Sequence, residues 1–249
     1  MKNIALLTST IAPDPGVIGL QRTNVKDRLD DYIKGFTFYC ECIEKNIFQK
    51  LVYVDNSGYQ LDDLIRIANT RQLSPHVEFI SYKSTVSPKN GRFYLELNLI
   101  NFAMNTSSFL TENGDSLIWK VTGRYLIKNV GNIIERCRKY PQYDFYINCR
   151  NYPTRWADFF LVGFNLMAYR EVFSSNLHLY EGIANGEEVL RHYLNSEAVS
   201  GLKILLRLPS VPRVIGVRGY DGGKYGGIVD STKFYARRAL NALLPNFWI

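Results

Sequence analysis

The 249-residue chain has no apolar run approaching the roughly 20 residues that span a bilayer, which excludes a membrane-spanning helix. The opening "MKNIALLTSTIAP" turns polar at Thr8 after a short apolar run, so no signal peptide is expected and a cytoplasmic location follows. Four cysteines, Cys40, Cys42, Cys137 and Cys149, lack CxxC spacing, and the two at 40 and 42 diverge on a helical pattern. Buried thiols are expected rather than a zinc site. The three histidines, His76, His178 and His192, are scattered and read as surface residues. No GxGxxG follows the first strand pattern, which disfavours a dinucleotide site, and no GxxxxGK[ST] exists to make a P-loop.

What is present is a core-forming chain: 46% of residues are hydrophobic and 14% aromatic, enough for one globular body. The net charge of +7 is unevenly placed. Residues 201–249 carry eight Lys or Arg against Asp221 and Asp230 alone, while the first 200 residues are nearly neutral. Such a basic end suits a phosphate-bearing ligand, an anionic membrane surface or nucleic acid. The chain divides accordingly into a ligand-binding body, 1–200, and a basic lid and tail, 201–249.

Short apolar runs at 3–9, 51–58 and 77–82 alternate with helical patterns. One stripe, Val25, Leu29, Ile33, Phe36, Cys40, Ile43 and Ile47, recurs at spacings of three and four. The alternation continues with a helix near 90–110, a strand near 115–122, a helix near 129–139 and strands at 144–149 and 158–168. A helix from Glu187 and candidate strands in "LKILLRLP" and "VPRVIGVRGY" follow. This order predicts an α/β fold, a doubly wound and mostly parallel sheet with an elaborated C-terminal segment. Ligands of such sheets bind at the carboxyl ends of strands, here Thr8 to Thr10, Asp55 to Gly58, Tyr82 to Thr85 and Thr122 to Tyr125.

"IWKVTGRYLI", 118–127, poses the sharpest question, because Lys120 and Arg124 sit in a strand that otherwise reads as buried. Two cations there need an anionic or carbonyl-rich partner. Asp55, at the end of "VYVDNSG", offers a carboxylate that accepts from a base N–H or ribose hydroxyls, with Asn56 beginning a tight turn. A plain turn is the alternative. In "KNGRFYLELNLI", Lys89 and Arg92 stand before and at the start of a helix whose N-terminus favours an anion, unless Arg92 and Glu96 merely form a surface pair.

These segments resemble GT-A glycosyltransferases over roughly residues 3–195. "VYVDNSG" is similar to their second strand, and "KVTGRY" to a K-[IV]-[ST]-G-R-Y motif of a bacterial surface-polysaccharide group, standing where Asp-x-Asp usually holds a metal. No Asp-x-Asp occurs in the chain. The resemblance implies a Rossmann-like GT-A sheet and a transferase moving a sugar from a nucleotide-sugar donor onto a lipopolysaccharide or capsule glycan. It implies inversion and no metal or other cofactor. Donor-binding residues would be Thr8, Asp55, Asn56, Lys89, Arg92, Lys120, Thr122, Gly123, Tyr125, Arg218 and Lys224. Arg124 would neutralise the leaving diphosphate, assisted by Lys120.

On the acceptor side, "RWADFFLVGFNLMAY" places Trp156 for stacking on a sugar and Asp158 for its hydroxyls. "NGEEVLRHYL" resembles the helix that supplies the base of inverting enzymes, so Glu187 or Glu188 would deprotonate the acceptor. Two glutamates in a first helical turn also simply suit its dipole. Six glycines between 216 and 227 suggest a mobile lid carrying Arg218 and Lys224. The tail sets Lys233, Arg237 and Arg238 among Phe234, Tyr235, Leu240, Leu243, Leu244, Phe247 and Trp248, which suits peripheral contact with an anionic membrane bearing a lipid-linked acceptor. Two rivals remain. A sugar nucleotidyltransferase wants a glycine-rich basic loop after the first strand, which "TSTIAPDPGVIGLQR" matches poorly. A nucleic-acid-binding module explains the basic end but not Asp55, Glu187 or Glu188, so no nucleic-acid partner is expected.

Overall fold

The structure, a computed structural model, describes residues 2–17, 19–111, 116–139 and 143–243. Strand β1 (Asn3–Ser9) is buried along its whole length and lies inside a seven-stranded sheet with β2 (Lys50–Asp55), β3 (Val77–Ser81), β4 (Leu117–Thr122), β6 (Phe145–Arg150), β7 (Trp156–Phe164) and β8 (Ile204–Leu205). The order is β3-β2-β1-β4-β7-β6-β8. Ile4 lies opposite both Lys50 and Ile118 in parallel register, whereas β7 runs antiparallel to β4 and β6. The expected mostly parallel α/β sheet is thus present, with one reversed strand.

Alternation along β1 divides the core, because successive side chains point to opposite faces. Ile4 and Leu6 join α3 (Arg92–Thr106), α4 (Ser108–Thr111), α6 (Leu166–Val172) and α7 (Gly186–Tyr193) on one face. Ala5 and Leu7 join α1 (Val25–Glu44), α2 (Asp62–Thr70) and α5 (Val130–Cys137) on the other. All four cysteines are free and buried, and all three histidines are exposed, as their spacing led one to expect.

Helix α1 differs from its periodicity in an informative way. Asn24 caps it by accepting from Asp27 N at 3.0 Å. Its inward row is Arg28, Tyr32, Gly35, Phe36, Tyr39, Cys40 and Ile43, while Val25 is 38% exposed and Ile47 lies beyond the helix end. The row is rotated because the first half of α1 covers the ligand end of the sheet, where polar groups face in. Gly35 makes the docking close: a Cβ there would stand 1.9 Å from the carbonyl oxygen of Gly123. Gly35→Ala therefore forces two backbones apart and is expected to cost about 3 kcal/mol, lowering the melting temperature by roughly 6 to 12 °C. A melting curve within about 1 °C of the parent would show that the helix shifts freely.

The C-terminal segment gives β8 to the main sheet, and its strands β9 (Val214–Val217) and β10 (Lys224–Tyr225) form a second, three-stranded sheet with β5 (Leu126–Ile127). Helix α8 (Ile228–Leu243) follows. Its described side chains, those of 232–240 and 243, include none that is buried. Leu244, Phe247 and Trp248 lie outside the described residues. No helix among the described residues is long and apolar enough to cross a membrane.

Candidate functional site

A cleft of about 170 Å³ opens where β1, β2 and β4 end. Thr8, Ser9 and Thr10 come from β1 and its exit, Asn56 and Ser57 from the turn after β2, and Thr122 and Arg124 from the end of β4. Helix α1 contributes Arg28 and Tyr32, and α3 contributes Arg92, Leu95, Glu96 and Leu99.

The positive wall is built around one phenol. The Tyr32 hydroxyl accepts from Thr10 N at 3.1 Å, from Arg28 Nη2 at 3.3 Å and from Arg124 Nη1 at 3.3 Å. Arg28 also donates through Nε to Thr10 O at 2.7 Å and through Nη1 to Arg22 O at 2.8 Å, so its plane is fixed. Burial pulls the Arg28 guanidinium below its usual range, with Arg124 pulling the same way against Tyr32 and Asp55. Arg124 donates from Nε to Val217 O at 3.0 Å and lies 5.2 Å from the Tyr125 ring. Burial opposes its charge, but Tyr32, Tyr125 and Glu96 outweigh that and hold it above the usual range. Two guanidiniums fixed on one oxygen at a strand end make this wall positive, with Arg124 the more exposed and Arg28 buried and bonded through all three nitrogens.

Lys120 answers differently from Arg124. It is 0% exposed, and its ammonium meets Glu96 Oε1 at 2.6 Å, Phe159 O at 2.6 Å and Thr122 Oγ1 at 3.2 Å, over the Phe159 ring. It lies under the cleft floor, where nothing solvent-borne reaches it. Burial lowers its proton affinity, while Glu96 and Glu187 hold the proton on. Glu96 is pushed up by burial, yet Lys120 and the hydrogen bonds from Lys120 and Thr8 bring its carboxyl below the usual range.

Glu187 and Glu188 open α7, and Gly186 lets this turn press against α3: a Cβ on Gly186 would stand 2.4 Å from the Phe93 ring. Burial pushes the Glu187 carboxyl up to about 7, with Glu96 adding to the rise and Arg92 and Lys120 opposing it. Glu187 is thus coupled to Glu96, Lys120 and Arg92, although neither Glu187 nor Glu188 lines the cleft.

The expected site residues are distributed as follows. Thr8, Asn56, Arg92, Thr122 and Arg124 line the cleft. Gly123 shapes it from behind: its N donates to Thr8 O at 2.8 Å, and its oxygen meets Gly35. Tyr125 is buried, and its carbonyl oxygen accepts from the Tyr39 hydroxyl at 3.0 Å. Asp55, proposed to meet a base or ribose, is 0% exposed and spends its carboxylate on its own chain. It accepts from Ser9 Oγ, Ile11 N, Ser57 N and Ser57 Oγ, and so ties the exit of β1 to the turn after β2.

Lys89 is exposed in the turn before α3, outside the cleft lining. Trp156 is half-buried at the start of β7, and Asp158 is held by Arg150 Nη2 at 3.0 Å and Asn148 Nδ2 at 2.8 Å. Arg218 pairs with Asp221 at 2.9 Å between the rings of Tyr220 and Tyr225, and Lys224 is exposed on β10. None of these four lines the cleft. Arg28 and Tyr32 were missed because both sit on a helix read only for its apolar period. Their i, i+4 spacing beside Gly35 was the available signal.

Where a metal-holding pair would stand in GT-A enzymes, β4 ends in Thr122, Gly123 and Arg124, and a guanidinium does not fit a cation. Among the described residues no three His, Cys, Asp or Glu side chains gather to hold one.

No family model matches the chain, and no curated protein does. Among solved structures it is similar to a protein assigned as a nucleotide-diphospho-sugar transferase from Desulfovibrio desulfuricans G20, at 15% identity and a TM-score of 0.47, covering 83% of this chain and 80% of that one. It is also similar to a nucleoside-diphosphate-sugar pyrophosphorylase from Vibrio cholerae RC9, at 10% identity and a TM-score of 0.48, covering 94% and 99%. A third is 4-diphosphocytidyl-2C-methyl-D-erythritol synthase from Anaerococcus prevotii DSM 20548, at 10% identity and 0.45, covering 96% of each chain. Likenesses of this size say nothing of what the chain does.

Proposed function

We propose that the chain is a glycosyltransferase using a nucleoside-diphosphate sugar, with the diphosphate on Arg28 and Arg124 and Glu187 as general base. The observation that carries this is the pairing of two guanidiniums on the Tyr32 hydroxyl at the cleft; Glu187, outside the cleft lining, has its carboxyl displaced to about 7 and couples to Glu96 and Arg92, which do line it. The guanidiniums suit an anionic leaving group, and such a carboxyl suits proton abstraction near neutral pH. In the step proposed, Glu187 takes the proton of an acceptor hydroxyl as its oxygen bonds to the anomeric carbon. The bond from that carbon to the diphosphate breaks, and the nucleoside diphosphate departs with the electron pair, neutralised by Arg124. Attack opposite the leaving group inverts the anomeric centre.

The acceptor we propose is a bacterial surface glycan, lipopolysaccharide or capsule, carried on lipid. Helix α8 supports a location at an anionic cytoplasmic surface, because Lys233, Arg237 and Arg238 accompany Tyr235 and Leu243, which are 56% and 76% exposed. The test is a thermal-shift panel of UDP, GDP, CMP and their sugars, with manganese and with EDTA. A nucleoside diphosphate or its sugar at about 100 times its Kd should add about 2.7 kcal/mol, raising the melting point by roughly 5 to 11 °C in EDTA as in manganese. If no member of the panel shifts the curve, the proposal fails. A shift seen only with manganese overturns its metal-free form.

A further inference from the structure

Glu96 is bonded on one side only. Its Oε1 receives Lys120 Nζ at 2.6 Å, Thr8 Oγ1 at 2.8 Å and Thr122 Oγ1 at 3.3 Å. No donor among the described residues reaches Oε2, although the side chain lines the cleft and is 26% exposed. A carboxylate present only to neutralise Lys120 has no need of three donors converging on one oxygen. Lys120 also has Phe159 O and Thr122 Oγ1 as acceptors. The donors come from the ends of β1 and β4, so the carboxylate plane is set by the sheet itself, with its second oxygen left to the cleft.

The charge of Glu96 suits one kind of group. Placed against a phosphate it would repel, and the phosphate has Arg28 and Arg124 on the wall formed by α1 and the end of β4. An ionised carboxylate oxygen with no donor takes a ligand O–H or N–H, and in a nucleotide sugar the dense donors are hydroxyls. We propose that Glu96 is the acceptor for a ligand hydroxyl in this cleft and that Lys120, Thr8 and Thr122 are the positioning residues that aim it. The inference rests on the nucleotide-sugar proposal and adds a division of the cleft, cations for diphosphate and Glu96 for a neutral hydroxylated ring. The hydroxyl belongs either to ribose or to the transferred sugar.

Glu96→Gln alone strands a buried ammonium, so the test uses the double variant Glu96→Gln with Lys120→Met beside it. Replacing both members of a buried pair by neutral groups of like volume is often tolerated. Calorimetric titration compares UDP with UDP-glucose, GDP with GDP-mannose, and each diphosphate with its 2′-deoxy form. In the parent, the ligand carrying the relevant hydroxyl should bind roughly tenfold to a hundredfold tighter than the one lacking it. In the double variant that margin should vanish, with affinity for the hydroxyl-lacking ligand about unchanged because one charge of each sign has gone. A margin lost between ribo and deoxy forms assigns Glu96 to ribose, and one lost between diphosphate and sugar assigns it to the sugar. If the parent binds these ligands and a well-folded double variant keeps every margin, the inference is wrong. If the parent binds none of them, the nucleotide-sugar proposal fails first.

Discussion

Glu187→Gln is expected to lower turnover by roughly 10²- to 10⁴-fold while leaving the affinity for nucleoside diphosphate within about twofold, because the amide keeps the size and reach of the side chain and cannot take a proton. Glu188→Gln is expected to stay close to the parent, since adjacent helical side chains point about 100° apart and only Glu187 belongs to the group around Glu96 and Lys120. The pH dependence follows from the ionised form being the active one. With the carboxyl at about 7, the rate should rise with pH and level off above that value. Stability should run the other way. A carboxyl raised in the folded state costs nothing below its ordinary value and increasingly destabilises as pH climbs from there through about 7. Glu187→Gln should therefore melt above the parent at pH 8, by less at pH 5, and level with it below about pH 4. Near-parental turnover in both Gln variants would remove the base assignment.

Arg124→Ala should weaken nucleoside diphosphate binding by roughly 1.5 to 3 kcal/mol, about tenfold to more than a hundredfold, while the parent nucleoside binds almost as before. Arg124→Lys should recover part of this. One ammonium cannot hold Tyr32 and Val217 O together and still meet an anion, whereas a planar guanidinium has five donors in a fixed fork. Titration of diphosphate and nucleoside on both variants decides the matter. Equal losses for the two ligands would reduce Arg124 to a tie between the end of β4 and the end of β9.

The strand ends were legible from the sequence because apolar runs ending in turn residues depend on local pattern alone, and Thr8, Asn56, Thr122 and Arg124 do meet there. Individual roles were less legible. Lys120 and Arg124 lie four residues apart in one motif, and the desolvation argument asked of both that an anion meet them. It could not tell an anion of the ligand from Glu96, supplied by a helix 24 residues earlier in the chain. Asp55 was misjudged for a related reason. A carboxylate after a strand suits a ribose, yet four donors from the neighbouring loops fill its acceptor positions, and that depends on how β1 and β2 sit side by side. Arg28 and Tyr32 escaped because a search for apolar period treats a polar residue on the inward row as noise. The choice between Glu187 and Glu188 needed the position of α3.

The contact between Gly35 and Gly123 bears on how this sequence can change over generations. The two positions are 88 residues apart, yet the Gly123 carbonyl occupies the space a methyl group on Gly35 would need, while a methyl group on Gly123 would crowd Thr8 O at 2.9 Å and the Tyr32 ring at 3.5 Å. A lineage that put a side chain at Gly35 would have to lift α1 from the sheet, carrying Tyr32 and Arg28 away from the cleft. The backbone of the K-V-T-G-R-Y motif is therefore inherited together with a bare position 35, and a distant relative with a side chain there should have rebuilt the helix entry as well.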